Sequence, residues 1–141
     1  MVLVDSCVWI EASRERGDLH VKLALRALLD EYEAAYCGPV KLEVLGGARN
    51  EKRKALSYFF EAVPYLAMPE IIWDDAKNIS WRLRDAGQAI PWNDILIACI
   101  ALKQRCRVYS IDAHFQALSE KCGLLLYQPG YGGKYQRDVE G

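Results

Sequence analysis

Short apolar runs bounded by polar residues, glycine or proline occur at 2–4, 34–37, 108–111 and 124–127, and between them apolar residues recur at helical spacing. The runs read as buried strands and the intervals as helices. Val2-Leu3-Val4 is followed at once by Asp5-Ser6, either of which suits the cap of a helix over 7–12. Leu19, Leu23, Leu25, Ala27 and Leu28 predict a helix over 19–33, with Arg26, Asp30 and Glu31 on its wet face. Pro39, just after the second strand, suits the first residue of a third helix that carries Val40, Glu43 and Val44 and stops at Gly46-Gly47. On that reading Glu43 lies within one turn of the helix start.

The second half has the sharper pattern. Residues 49–62 read as a helix that is charged first and aromatic later, and 63–68, between Pro64 and Pro69, as a connection or an edge strand. Ile72, Ala76, Ile79, Leu83 and Ala86 follow the cleanest period in the chain and predict an amphipathic helix over 70–86, ended by Gly87. Ile95 to Leu102 are eight apolar residues in a row, which predicts a helix buried on all sides. Asp94 then sits in its first turn, where the helix dipole favours a carboxylate. Asp112 begins a last helix through 121, and the tail after 128 is rich in glycine. Strands alternating with helices imply a parallel sheet covered on both faces, with any site at the carboxyl ends of the strands.

Composition adds bounds. A chain of 141 residues, 52% hydrophobic and 26% charged, fits one globular domain. No apolar run approaches a membrane span, and 1–4 lacks the basic flank of a secretory signal, so a cytoplasmic protein with no membrane partner is expected. Five cysteines without a Cys-x-x-Cys pair read as reduced core residues. The net charge of −1 neither announces nor excludes a nucleic-acid partner.

The acids then stand out by place. Asp5 ends the first strand, Glu43 starts the helix after the second, Asp94 starts the buried helix and Asp112 follows Ser110 at the end of the third. In a parallel sheet these points share one edge. Four carboxylates in one cleft repel, and a divalent cation is the usual relief. Oxygen ligation suits Mg²⁺ or Mn²⁺, and the lack of a His/Cys cluster argues against zinc. A phosphotransferase of the haloacid-dehalogenase type would need a second aspartate where Cys7 stands.

Over nearly its whole length the chain resembles the PIN-domain ribonucleases, and within them the VapC-type toxins of toxin–antitoxin pairs. The likeness rests on 2–6, on Glu43, on 94–102 and on Val108-Tyr109-Ser110-Ile111-Asp112-Ala113-His114-Phe115. It implies a three-layer α/β/α domain over 1–128 with a central, mainly parallel sheet of four to five short strands, while Pro129 and the glycines that follow it make 129–141 an irregular or mobile tail. It also implies that Asp5, Glu43, Asp94 and Asp112 are the catalytic, metal-binding quartet, holding Mg²⁺ or Mn²⁺ for hydrolysis of RNA. Ser6, Ser110 and Asn93 would support them by hydrogen bonds. Ser110 replaces the family's usual threonine, His114 stands where an acid is common, and Cys99 where alanine is usual. The last two are expected to stand apart from the quartet, and His20 and His114 to be structural.

The implied partners are an RNA substrate, a cognate antitoxin and a second copy in a homodimer. A PIN nuclease that processes RNA without an antitoxin, or a silent PIN scaffold that binds a partner, are the alternatives. Arg49, Lys52 and Arg53 lie in the densest basic run and are candidates for RNA phosphate contact. Arg14, Arg16, Arg82 and Arg84 are weaker ones. Trp73, Trp81 and Trp92 are expected to pack in the core or an interface rather than to stack bases.

Overall fold

A computed structural model describes residues 1–138, and 139–141, the end of the expected tail, lie outside the described residues. Four parallel strands, β1 (Val2–Val4), β2 (Ala34–Cys37), β3 (Tyr65–Leu66) and β4 (Arg107–Tyr109), stand in the order β3-β2-β1-β4. Every residue of β1 and β2 is buried, as the unbroken apolar runs require. β3, between its prolines, is a two-residue edge.

The chain moves outward from β1 to β2 to β3, then returns past β1 to β4. Right-handed crossovers therefore place α1 (Ser6–Ser13), α2 (Leu19–Asp30), α3 (Gly38–Gly46) and α4 (Asn50–Glu61) on one face of the sheet. They place α5 (Ile72–Asp85) and α6 (Trp92–Gln104) on the other. The reversal makes a switch point between β1 and β4, where parallel sheets open a crevice at the carboxyl edge. α7 (His114–Cys122) follows β4.

The core is continuous across both faces. Val2, Leu3, Val4, Leu28, Ile97, Ile100, Phe115 and Leu118 are almost fully enclosed. α6 buries seven residues from Asp94 to Ala101, as a helix apolar on all sides must. Trp9 donates from its indole to the Val4 carbonyl at 3.1 Å and packs on Phe60, so α1 and α4 are tied to the sheet through one indole. All five cysteines are free thiols. No described helix is long and apolar enough to cross a membrane.

Two sequence readings need correction. Residues 124–127 form no strand. Leu126 makes a single bridge to Val108, because the three-residue β4 offers no further ladder. The helix read from Asp112 begins at His114, leaving Asp112 in the preceding turn, where Phe115 N–H donates to its carbonyl at 3.2 Å. Of the two places expected for Trp73, Trp81 and Trp92, exposures of 52%, 60% and 70% exclude the core and leave the interface.

The chain after 127 is irregular apart from a 3₁₀ turn, Tyr131–Gly133, seated on α2. Tyr135 stacks on Tyr127, Gln136 N–H donates to the Tyr127 hydroxyl at 3.2 Å, and Arg107 Nη1 donates to the Gln136 carbonyl at 3.1 Å. Arg107 opens β4, so this segment is docked at the amino edge of the sheet, opposite the crevice.

Candidate metal and active site

At the crevice, β1 delivers Asp5 directly. Asp5 is 2% exposed and is the residue at which the strand turns into α1: its backbone N–H donates to the Tyr109 carbonyl at 2.9 Å, and its carboxylate caps the helix. Oδ1 accepts from Ser6 N at 2.8 Å and from Ser6 Oγ at 3.4 Å. Oδ2 accepts from Ser110 Oγ at 2.8 Å and from Cys7 Sγ at 3.0 Å. A carboxylate held by this many donors is fixed in one orientation.

Ser110, just beyond β4, joins the two strand ends. While donating to Asp5 it accepts from Asp112 N at 3.0 Å. Asp112 Oδ1 in turn accepts from His114 N at 2.9 Å and lies 3.0 Å from His114 Nδ1. The same Nδ1 is 2.9 Å from Asp94 Oδ2. A single relay therefore runs Asp5, Ser110, Asp112, His114, Asp94, and it closes the gap between β1, β4 and α6. One atom each from Asp94, Asp112 and His114 lie within 4.8 Å of one another, a spacing that can hold a divalent cation.

Asp94 is 9% exposed in the first turn of α6, and burial pushes its carboxyl up to about 6, with the charge of Asp5 as the next cause. The hydrogen bond from His114 works the other way. Burial and then Asp5 also push the Cys7 thiol up to about 12, so it remains a protonated donor. Crowded carboxylates of this kind gain most from a cation.

Glu43 stands apart from the relay. α3 begins at Gly38, which puts Glu43 in its second turn rather than at its start. Among the described residues its Oε1 is buried without a hydrogen-bond partner, and α3 packs on α6, the helix that carries Asp94. An enclosed carboxylate oxygen without a donor is what a cation would satisfy. Asn93 is half-buried and makes no side-chain hydrogen bond among the described residues. Arg49, Lys52 and Arg53 are exposed on α4 and its approach; Lys52 Nζ donates to the Ser13 carbonyl at 3.2 Å and Arg53 Nε to the Ala48 carbonyl at 3.1 Å.

The expectation that His114 stands apart from the quartet is overturned, since it touches two of its members. Its place two residues after Asp112, as the first residue of a helix, was the available signal. The ring also borders a groove of about 1090 Å³ between α5 and the start of α6, lined by Trp73, Lys77, Trp81, Arg84 and Trp92.

Comparison with known proteins follows the same outline. The family model described as PIN domain matches residues 2–121. Ribonuclease VapC11 of Mycobacterium tuberculosis is 31% identical over 129 residues, covering 88% of this chain and 96% of that protein. FitAcB from Neisseria gonorrhoeae superposes with a TM-score of 0.74 at 20% identity, covering 91% of this chain and 97% of that one. VapBC2 from Rickettsia felis, solved bound to a DNA fragment from their promoter, gives 0.73 at 17%, covering 89% and 97%. At these identities the two structures speak for the fold.

Proposed function

The chain belongs to the PIN-domain family, and from that membership we propose that it is a metal-dependent endoribonuclease and the toxin of a VapBC-type pair. The observation that carries the reading is the convergence of Asp5, Asp94 and Asp112, from three separate segments, on one hydrogen-bonded edge. The ribonuclease name of the 31%-identical relative supports the substrate class, and the VapBC2 name of the Rickettsia felis structure supports an antitoxin partner. The protein acts in the cytoplasm, where its substrate is found.

Asp94 and Asp112 hold Mg²⁺ or Mn²⁺, with Asp5 and Glu43 completing the acidic pocket. When bound, the cation supplies positive charge and Lewis acidity for hydrolysis of a phosphodiester. The chain's own part is to hold the acids in place before substrate arrives. Ser6, Ser110 and Cys7 fix Asp5, and Ser110 fixes the Asp112 turn, so little reorganisation is left for the reaction. Arg49, Lys52 and Arg53, exposed on α4 and its approach, contact RNA phosphates, and charge reversal at Lys52 and Arg53 should weaken cleavage and flatten its salt dependence. A homodimer pairs through the exposed tryptophan face of α5, and Trp81→Glu should shift the mass in solution to that of a monomer.

The deciding experiment is cleavage of total RNA by purified protein with Mg²⁺ or Mn²⁺, beside Asp5→Asn and Asp94→Asn. Loss in both variants and in chelator is expected, and persistence in both would sink the mechanism. Growth arrest on expression, relieved by the product of the neighbouring open reading frame, tests the toxin role.

A further inference from the structure

His114 brings a nitrogen into a site otherwise built of oxygens. Its Nδ1 is 2.9 Å from Asp94 Oδ2 and 3.0 Å from Asp112 Oδ1, and the three side chains offer atoms mutually within 4.8 Å. The ring is held there from its own backbone, because His114 N–H donates to the same Asp112 oxygen at 2.9 Å. With a 40% exposed side chain at the mouth of the groove, the imidazole is also accessible from solvent. Among the described residues Glu43 Oε1, on the helix α3 that packs against α6, is buried without a donor, an observation independent of the relay.

We propose that His114 is a cation ligand through Nδ1, beside Asp94 and Asp112, and that it turns the site toward Mn²⁺ and similar first-row ions over Mg²⁺. The inference rests on the cation site proposed above and specifies its selectivity. Mg²⁺ is a hard ion that favours oxygen and keeps its waters, whereas imidazole nitrogen suits the borderline transition ions. Without a cation, Nδ1–H can satisfy only one carboxylate fully at a time. The ring then serves to keep two repelling acids at the spacing that the ion needs. With a cation, the proton resides on Nε2 and the Nδ1 lone pair is free for the ion.

The chain has two histidines, and His20, exposed in α2, is the internal control. The test uses the full chain loaded with Mn²⁺ in the absence of RNA. Pulsed electron paramagnetic resonance should show ¹⁴N coupling to Mn²⁺ in the wild type and in His20→Gln, and none in His114→Asp. Titration calorimetry should show the preference for Mn²⁺ over Mg²⁺ falling about tenfold in His114→Asp, which makes the site all-oxygen. His114→Asn is the second variant should the aspartate not fold, and the same fall is expected. Absence of ¹⁴N coupling in the wild type, or an unchanged preference in both variants, overturns the inference. If the wild type still binds a cation and cleaves RNA without nitrogen coupling, only the role of His114 is lost. Failure to bind either ion, with no cleavage, removes the cation reading as well.

Discussion

Asp5 and Ser110, 105 positions apart, meet through a 2.8 Å hydrogen bond that links the ends of β1 and β4. Because Ser110 also accepts from Asp112 N, a single hydroxyl sets the distance between two acids of the site. Ser110→Ala leaves the Asp112 N–H without its partner and removes one donor from Asp5, at a cost of about 1–2 kcal/mol. RNA cleavage is expected to drop about tenfold or more, as with other changes to groups that orient metal ligands. Ser110→Thr keeps the hydroxyl and should restore both properties. Equal activity in the alanine variant, in assays at saturating cation, would remove Ser110 from the positioning machinery.

Asp94 should trade stability for function. Its folded-state pKa of about 6 lies above the ordinary 3.8, so between those values the folded chain binds the extra proton. Stability of the cation-free protein therefore falls as pH rises through this window, by about 2 to 3 kcal/mol in all. Asp94→Asn keeps the shape and the acceptor for His114 but carries no charge. In chelator at pH 7.5 it should unfold at higher denaturant concentration than wild type, and the two should converge near pH 4. Addition of Mn²⁺ should reverse the order, since only the wild type gains from binding. A variant less stable than wild type in chelator at pH 7.5 would show that the carboxylate is not under strain.

The two clearest acids were legible because each adjoins a pattern that declares its element. Asp5 follows a fully apolar strand, and Asp94 precedes eight apolar residues, so both had to fall at strand or helix ends. The periodic helix around Ile79 and Leu83 was equally plain, since burial of one face is what the spacing encodes. His114 was not legible as a site residue. Which way its ring turns depends on the angle at which α7 leaves β4, and that angle is set by the Ser110 and Asp112 turn rather than by local propensity. Pro39 suggests the helix start, but Gly38 is its first residue, so Glu43 is the sixth residue of α3 and falls in the second turn. Residues 124–127 have a strand's composition, yet whether a run pairs depends on its neighbour's length, which the run does not carry.

Cys7 should be an inert thiol despite its place beside the cluster. Burial and the Asp5 carboxylate keep it protonated, and its Sγ–H is engaged with Asp5 Oδ2. Thiolate, not thiol, is the nucleophile, so iodoacetamide at pH 8 should label Cys7 only after unfolding. Peptide mapping of native and denatured samples checks this. Prompt native labelling at Cys7 would mean that the Asp5 contact opens readily and that the site is less rigid than the relay implies.

Gly133 offers a way to release the C-terminal segment without touching the site. Its φ of +81° is one that side-chain-bearing residues rarely adopt, and an added Cβ would lie 2.7 Å from Ala24 N and 2.9 Å from Leu23 Cβ. Those neighbours belong to the body of α2 and cannot give way by a rotamer change. Gly132, at φ +65° with nothing within 4 Å, is the matched control: alanine there meets only the backbone penalty, about 1 kcal/mol. Gly133→Ala is expected to cost more than Gly132→Ala and to lose hydrogen-exchange protection at the Gly130 and Gln136 amides, which now donate to the Lys134 carbonyl and the Tyr127 hydroxyl. Cleavage by the folded fraction should be unchanged, because the segment docks at the amino edge and the acids lie at the carboxyl edge. Protection equal to wild type in Gly133→Ala would show that the turn does not seat on α2 in solution, and a matching loss of cleavage would couple the two edges of the sheet.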